Sequence, residues 1–211
     1  ITSAIETHLF RNDISLNQKR ITSEVCVHYL HFADSDYEKL QHQIKCNPAV
    51  KSQADQDELW KALLDDRLDV IATDHAPHTK EEKFHPNYLN CHAGLPLIQH
   101  TLLLMLEKVQ NGKLKLEKMV EKMSHNPAIA YKLKNRGFIR EGYAADLVLV
   151  KPNTPYIVSE QSILYKCDWS PLLGTTFSHS IDSVFVNGTL SYCRGEFGEV
   201  NAQRLQFEKD R

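Results

Sequence analysis

Two short apolar runs, Ser23-Glu24-Val25-Cys26-Val27 and Asp69-Val70-Ile71-Ala72-Thr73, constrain the fold of this chain more than any other feature. Each has the length of a buried strand. Between them, residues 54–64 put Leu59, Leu63 and Leu64 on one helical face,. Strand, helix, strand in that order predicts parallel pairing, because a parallel pair needs a long crossover and a helix supplies it. The helical pattern continues after the second strand. One helix is expected over about 95–109, with Ile98, Leu102, Met105 and Val109 as its core stripe and Asn111-Gly112 as its end,. Another is expected over 116–123, and a further one from Asn126-Pro127, where asparagine can cap and proline suits the first turn, closed by Gly137,.

The texture changes at about residue 136. Residues 145–150 and 183–186 read as strands, Asn187-Gly188 is a tight-turn signal, and residues 189–192 read as the hairpin partner,. The expected class is α/β: the second half of a (β/α)8 TIM-like barrel over 1–136, followed by part of a small β-sandwich lobe over 137–211. The tail over 201–211 is expected to be a frayed end or a short helix.

Bulk properties exclude several classes. Lys and Arg number 25 against 27 Asp and Glu, a net charge of −2, which gives no footprint for nucleic acid or an anionic membrane,. The apolar run from Leu102 to Leu106 is far too short to span a bilayer. Five cysteines, none in a CxxC pair, fit a reduced, cytoplasmic protein without a cysteine-based zinc site,. The chain opens on Ile1 with no cap or turn before it, which reads as an interior cut.

The chemistry concentrates in Thr73-Asp74-His75-Ala76-Pro77-His78-Thr79 and Glu81-Glu82-Lys83. Asp74 directly follows a strand, where an α/β barrel places reactive groups. Carboxylate and imidazole are normal zinc ligands, and carboxylate also accepts protons. Taken alone, an aspartate and two histidines read equally well as a polar loop with Asp74 capping the turn. Residues 80–83 read as a solvated helix start. His8, His31, His42, His85, His100 and His179 read as surface or packing residues.

The string from Ala72 to Thr79, with Glu81-Glu82-Lys83, resembles the second signature motif of the dihydroorotases, in the amidohydrolase superfamily. Residues 45–52 resemble that family's K-x-N-P-P-x-R-S loop, and residues 24–30 its E-V-x-P-H-H-L segment. Ser124-His125-Asn126-Pro127-Ala128 and residues 137–147 resemble segments common across amidohydrolases, as do Ser170-Pro171-Leu172-Leu173-Gly174 and Val186-Asn187-Gly188. The chain departs from the pattern at His28-Tyr29, Ala49 and Lys51, and lysine does not replace arginine at a bidentate site.

The resemblance implies a zinc hydrolase that interconverts N-carbamoyl-L-aspartate and L-dihydroorotate. Asp74 matches the residue that binds metal and shuttles the proton. Asn47 and His78 match substrate-binding residues, and Ala93-Gly94 fall in a loop whose backbone contacts the pyrimidine ring. The family's H-x-H pair, its bridging lysine or aspartate and two further histidines are not in this chain, so Asp74 is the one expected ligand. The implied partners are the small-molecule substrate, the missing N-terminal half and further copies in a homo-oligomer, and the fragment alone is expected to be inactive. Two other readings stand beside this one. One is an allantoinase or hydantoinase. The other is a non-catalytic subunit scaffolding a transcarbamoylase.

Overall fold

A computed structural model describes residues 1–208. The two apolar runs form β1 (Glu24–Cys26) and β2 (Val70–Ala72), paired in parallel with Glu24 opposite Val70 and Cys26 opposite Ala72. Ahead of them lies α1 (Ala4–Thr7). The crossover carries α2 (Val27–His31), α3 (Tyr37–Leu40) and the longer α4 (Gln53–Leu64). Ser52 caps α4 by accepting the Asp55 N–H,. Leu59, Trp60 and Leu63 bury the inner face of α4, while Leu64 is exposed.

The parallel sheet continues one step further. His75 bridges Leu95 in parallel, and Ala76 N–H donates to the Leu95 carbonyl at 3.2 Å. Leu95 is therefore a strand position, and α6 (Thr101–Gln110) starts six residues later than expected; α5 is the single turn Lys80–Lys83. Of the expected stripe, Met105 is buried and Leu102 and Val109 pack against the core, whereas Ile98 precedes the helix and is exposed; Leu103, Leu104 and Leu106 are buried as well, because α6 is covered on more than one side. Asn111 caps its end and Gly112 follows with φ +69°.

A helix begins at Asn126-Pro127 as expected, with proline in its first turn, but Asn126 does not cap it and it is not a separate helix. α7 (Leu116–Val120) runs through a π-helical turn at Glu121–His125 directly into α8 (Asn126–Ala130). Pro127 has no N–H to give, and a π turn before it absorbs the interruption without breaking the helix. Asn126 instead donates its side-chain amide to the Asp69 carbonyl at 2.7 Å. Asp69, at the start of β2, also pairs with buried Lys19 at 2.6 Å and accepts the Ser23 N–H. Fully buried Lys122 donates to the Leu68 carbonyl. A satisfied polar network thus anchors the N-terminal end of β2 and leaves its C-terminal end free for chemistry. Gly137 lies against this helix with φ +80°, and a Cβ there would stand 2.4 Å from Ala128 Cβ.

The remaining strands are antiparallel. β3 (Leu147–Lys151), β6 (Ser180–Val186), β7 (Thr189–Cys193) and β8 (Glu196–Phe197) form one sheet in that order, and β4 (Tyr156–Ile157) pairs with β5 (Thr176–Phe177). Asn187 and Gly188 turn the β6–β7 hairpin with φ of 48° and 79°, the positive pair a tight hairpin needs,. Val158, Leu172 and Phe177 are buried in the same apolar cluster as Leu104 and Met105. The tail is neither frayed nor helical where it is described: Phe207 bridges Leu133, and Lys134 N–H donates to the Gln206 carbonyl. Residues 209–211 of that segment lie outside the described residues. No helix among the described residues is long and apolar enough to cross a membrane.

Candidate active site

The site grows from the C-terminal ends of β1 and β2. Past Ala72 the backbone leaves the ladder, and Asp74 takes φ of 43°. Residues with a Cβ rarely enter that region, and such strain clusters at functional positions. β1 ends at Cys26 opposite Ala72, and the first turn of α2 carries His28. One ligand-type atom each from Cys26, His28 and Asp74 lie within 4.8 Å of one another. Asp74 is exposed, Cys26 half-buried and His28 fully buried.

Neither ring nitrogen of His28 has a hydrogen-bond partner among the described residues. Burial pulls His28 down to about 4, so its ring is neutral at pH 7 and has a lone pair to offer. Burial and then the Asp74 charge push the Cys26 thiol up to about 12. Thiol, imidazole and carboxylate are donor types that suit zinc, and an orphaned buried imidazole calls for a partner. The sequence pointed to Asp74 alone and set cysteine aside. The available signal was the pair Cys26 and His28, two residues apart at a strand end beside the strand of Asp74.

His75 has a different task. Its Nδ1 accepts the N–H groups of Leu97 and Ile98 at 3.1 and 3.4 Å, which fixes the entry to α6.

A second group of residues lies beyond Asp74. Thr79 and Glu82 form a reciprocal capping box, Glu82 N–H to Thr79 Oγ1 at 3.3 Å and Thr79 N–H to Glu82 Oε2 at 3.0 Å, which winds α5,. That turn aims Lys83 inward. Lys83 is fully buried, not solvated as its charged neighbours suggest. Its Nζ donates to the carbonyls of Lys45, His92 and Gly94 at 2.8, 3.2 and 2.7 Å. His78 Nε2 donates to the Ala93 carbonyl at 3.0 Å, and its Nδ1 lies 3.5 Å from Glu82 Oε2. His78, Glu82 and His92 make a second group of ligand-type atoms within 4.8 Å of one another.

The Asn47 loop is held against this group. Gly94 N–H donates to the Lys45 carbonyl at 2.9 Å. Lys45 Nζ donates to the carbonyls of Tyr88 and Cys91, both at 2.6 Å. Tyr29, one of the departures from the family pattern, donates its hydroxyl to the Pro48 carbonyl at 2.5 Å. Lys51, another, turns back to the Ala49 carbonyl at 2.8 Å. Asn47 itself is exposed. Gly94 has φ +143°, and a Cβ there would stand 2.4 Å from the Ala76 carbonyl oxygen and 3.2 Å from the His78 ring. Only glycine fits.

These features define a class. The chain belongs to the amidohydrolase family, whose model matches residues 3–190. Among its relatives, the dihydroorotase of Clostridioides difficile is 33% identical over 173 residues, covering 82% of this chain and 40% of that protein. The dihydroorotase of Pyrococcus abyssi is 32% identical, with coverages of 90% and 45%. The allantoinase of Enterococcus faecalis is 29% identical, with coverages of 90% and 42%. The chain thus spans less than half the length of each. In three dimensions it superposes on the L-hydantoinase (dihydropyrimidinase) of Arthrobacter aurescens with a TM-score of 0.85 at 24% identity, covering 94% of this chain and 45% of that one. The fold is α/β, that of part of a TIM-barrel amidohydrolase.

Proposed function

We propose that this chain is the C-terminal part of a dihydroorotase, a hydrolase of cyclic amides that interconverts N-carbamoyl-L-aspartate and L-dihydroorotate. In this reading residues 1–136 belong to the barrel and 137–211 to the lobe. The observation that carries the reading is the placement of Asp74 at the mouth of β2 beside one buried frame that holds the Asn47 loop, His78 and Ala93-Gly94.

Asp74 accepts a proton from the attacking water and returns it to the ring nitrogen as the carbon–nitrogen bond breaks. His78 and Asn47 hold the substrate carboxylate through hydrogen bonds that the carboxylate's own charge strengthens. The backbone at Ala93-Gly94 meets the ring, and Gly94 lets the loop come close. Asp74 would hold zinc, with further ligands from the rest of the protein, and His28 and Cys26 stand next to it. A zinc ion held there would supply the Lewis acidity that acidifies water and polarises the ring carbonyl. In this reading the protein is cytoplasmic and acts on a small carboxylate substrate.

A second reading, an allantoinase or hydantoinase, is favoured by one observation: His28-Tyr29 replaces the histidine pair, and Tyr29 is bonded into the substrate loop. A scaffold subunit for a transcarbamoylase is disfavoured, because it has no need of the strained Asp74 or the preserved frame around His78. The test is hydrolysis by the full-length protein of L-dihydroorotate, allantoin and 5-substituted hydantoins side by side. Preferential turnover of dihydroorotate is expected. Preference for either other substrate replaces the first reading with the second, and no turnover with zinc bound leaves the scaffold.

A further inference from the structure

Lys83 stands out among the buried groups. It is among the largest fully buried side chains, and all its recorded hydrogen-bond acceptors are backbone carbonyls. A buried ammonium is expensive to desolvate, and packing alone is served by methionine or leucine at no such cost. Burial does pull this amine down, to about 8, with the Lys45 charge adding to it and the Cys46 and Cys91 thiols opposing it. The ammonium therefore remains the main form at neutral pH. It has three protons, and three carbonyls receive them.

The positions of those carbonyls matter more than their number. Lys45 is two residues before Asn47. His92 and Gly94 flank Ala93, whose own carbonyl takes the His78 Nε2–H. Lys83 is itself five residues after His78, on the turn that the Thr79–Glu82 capping box winds. One cation therefore joins three separate segments, and each carries a residue assigned above to substrate binding. The Trp169 ring, 5.5 Å from Nζ, shields the cation from one side.

We propose that Lys83 is the positioning residue of the substrate-binding half of the site, fixing Asn47, His78 and Ala93-Gly94 in one frame without touching the substrate. This rests on the cyclic-amidohydrolase reading above. Backbone carbonyls repel one another when brought together, and a shared cation turns that repulsion into a fixed spacing. Without it the Asn47 loop and the 92–94 loop keep their chain connections but lose their common reference. Capture of substrate then suffers more than the chemical step at Asp74, which lies just past the end of β2 and gives no carbonyl to this frame.

The experiment uses the full-length protein and the cyclic amide it hydrolyses best. Lys83→Met keeps the stem and removes the donors, and Lys83→Gln keeps part of the donor set. Losing hydrogen bonds to a charged group predicts KM raised about tenfold or more in Lys83→Met, with kcat within about threefold and metal content unchanged. Lys83→Gln should fall between wild type and Met, and it serves alone if the Met variant does not fold. Unchanged KM in the soluble variant, or a fall in kcat without a rise in KM, overturns the proposal. Asn47→Ala and His78→Ala are measured alongside. If they raise KM and the Lys83 variants do not, only Lys83 is misassigned; if they also leave KM unchanged, the reading of the site itself fails.

Discussion

Trp169 donates its indole N–H to the carbonyl of His78 at 2.8 Å, across 91 residues of sequence. The same ring packs edge-on against Phe84, and Lys80 pairs with the neighbouring Asp168 at 2.7 Å. The segment that follows β4 thus closes over the back of the Asp74–Lys83 motif. It holds the backbone of His78 while His78 Nε2 is held by Ala93.

Trp169→Phe keeps most of the apolar contact and removes the hydrogen bond. A buried neutral hydrogen bond contributes about 1 kcal/mol, so a several-fold rise in KM is expected in the full-length protein, with kcat little changed. Steady-state kinetics decide this. A variant with wild-type KM would show that the indole contact does not reach the substrate side.

Asp74 is assigned both a metal and the travelling proton. Asp74→Asn retains a donor atom for metal but cannot accept the proton, and should lower kcat about a hundred- to ten-thousand-fold in either direction. Asp74→Ala should lose metal as well, read by elemental analysis. Near-normal turnover in the asparagine variant would remove Asp74 from the proton path.

His78→Ala and Asn47→Ala should separate from the Asp74 variants by keeping their metal. Hydrogen bonds to a charged group contribute roughly 1.5–3 kcal/mol, so KM should rise about ten- to a hundredfold for His78→Ala and less for Asn47→Ala. Metal loss from either variant would instead place that residue among the ligands. For His78 this would point to the second group, with Glu82 and His92.

Acid should destabilise the protein through its buried histidines. Burial holds fully buried His100 at about 4 in the fold, whereas an unfolded histidine titrates at about 6.5. Between those values the unfolded chain binds more protons, so stability falls as pH drops from about 6.5 to 4 and is level above that range. His100→Phe removes one such site. Its urea midpoint should fall less between pH 7.5 and pH 5 than that of the wild type, and an equal fall in both would show that His100 takes up its proton in the folded state, directly or through local opening,.

Much of the barrel was legible because its signals are local. The periods at 23–27, 54–64 and 69–73 give β1, α4 and β2 almost to the residue, and Asn187-Gly188 gives its hairpin, since turn chemistry and side-chain alternation need only neighbours. The start of α6 was misplaced because Leu95 reads as apolar in either element, and only its pairing with His75 makes it a strand position. At Asn126-Pro127 the helix start and its proline are legible, but the cap role of Asn126 is not, because the cap signal is local, whereas the Asp69 carbonyl that engages Asn126 is 57 residues away.

By itself the sequence determined the order of strands and helices, the position of Asp74 after a strand, and the motif that surrounds it. The tertiary structure decided which groups share a space: Cys26 and His28 with Asp74, and Lys83 with the carbonyls of Lys45, His92 and Gly94. The charge of Lys83 suggests solvent when read along the chain, yet the fold buries it completely. The physical reason is that desolvating an ammonium becomes tolerable only where several carbonyls converge, and that convergence is a property of three segments meeting in space.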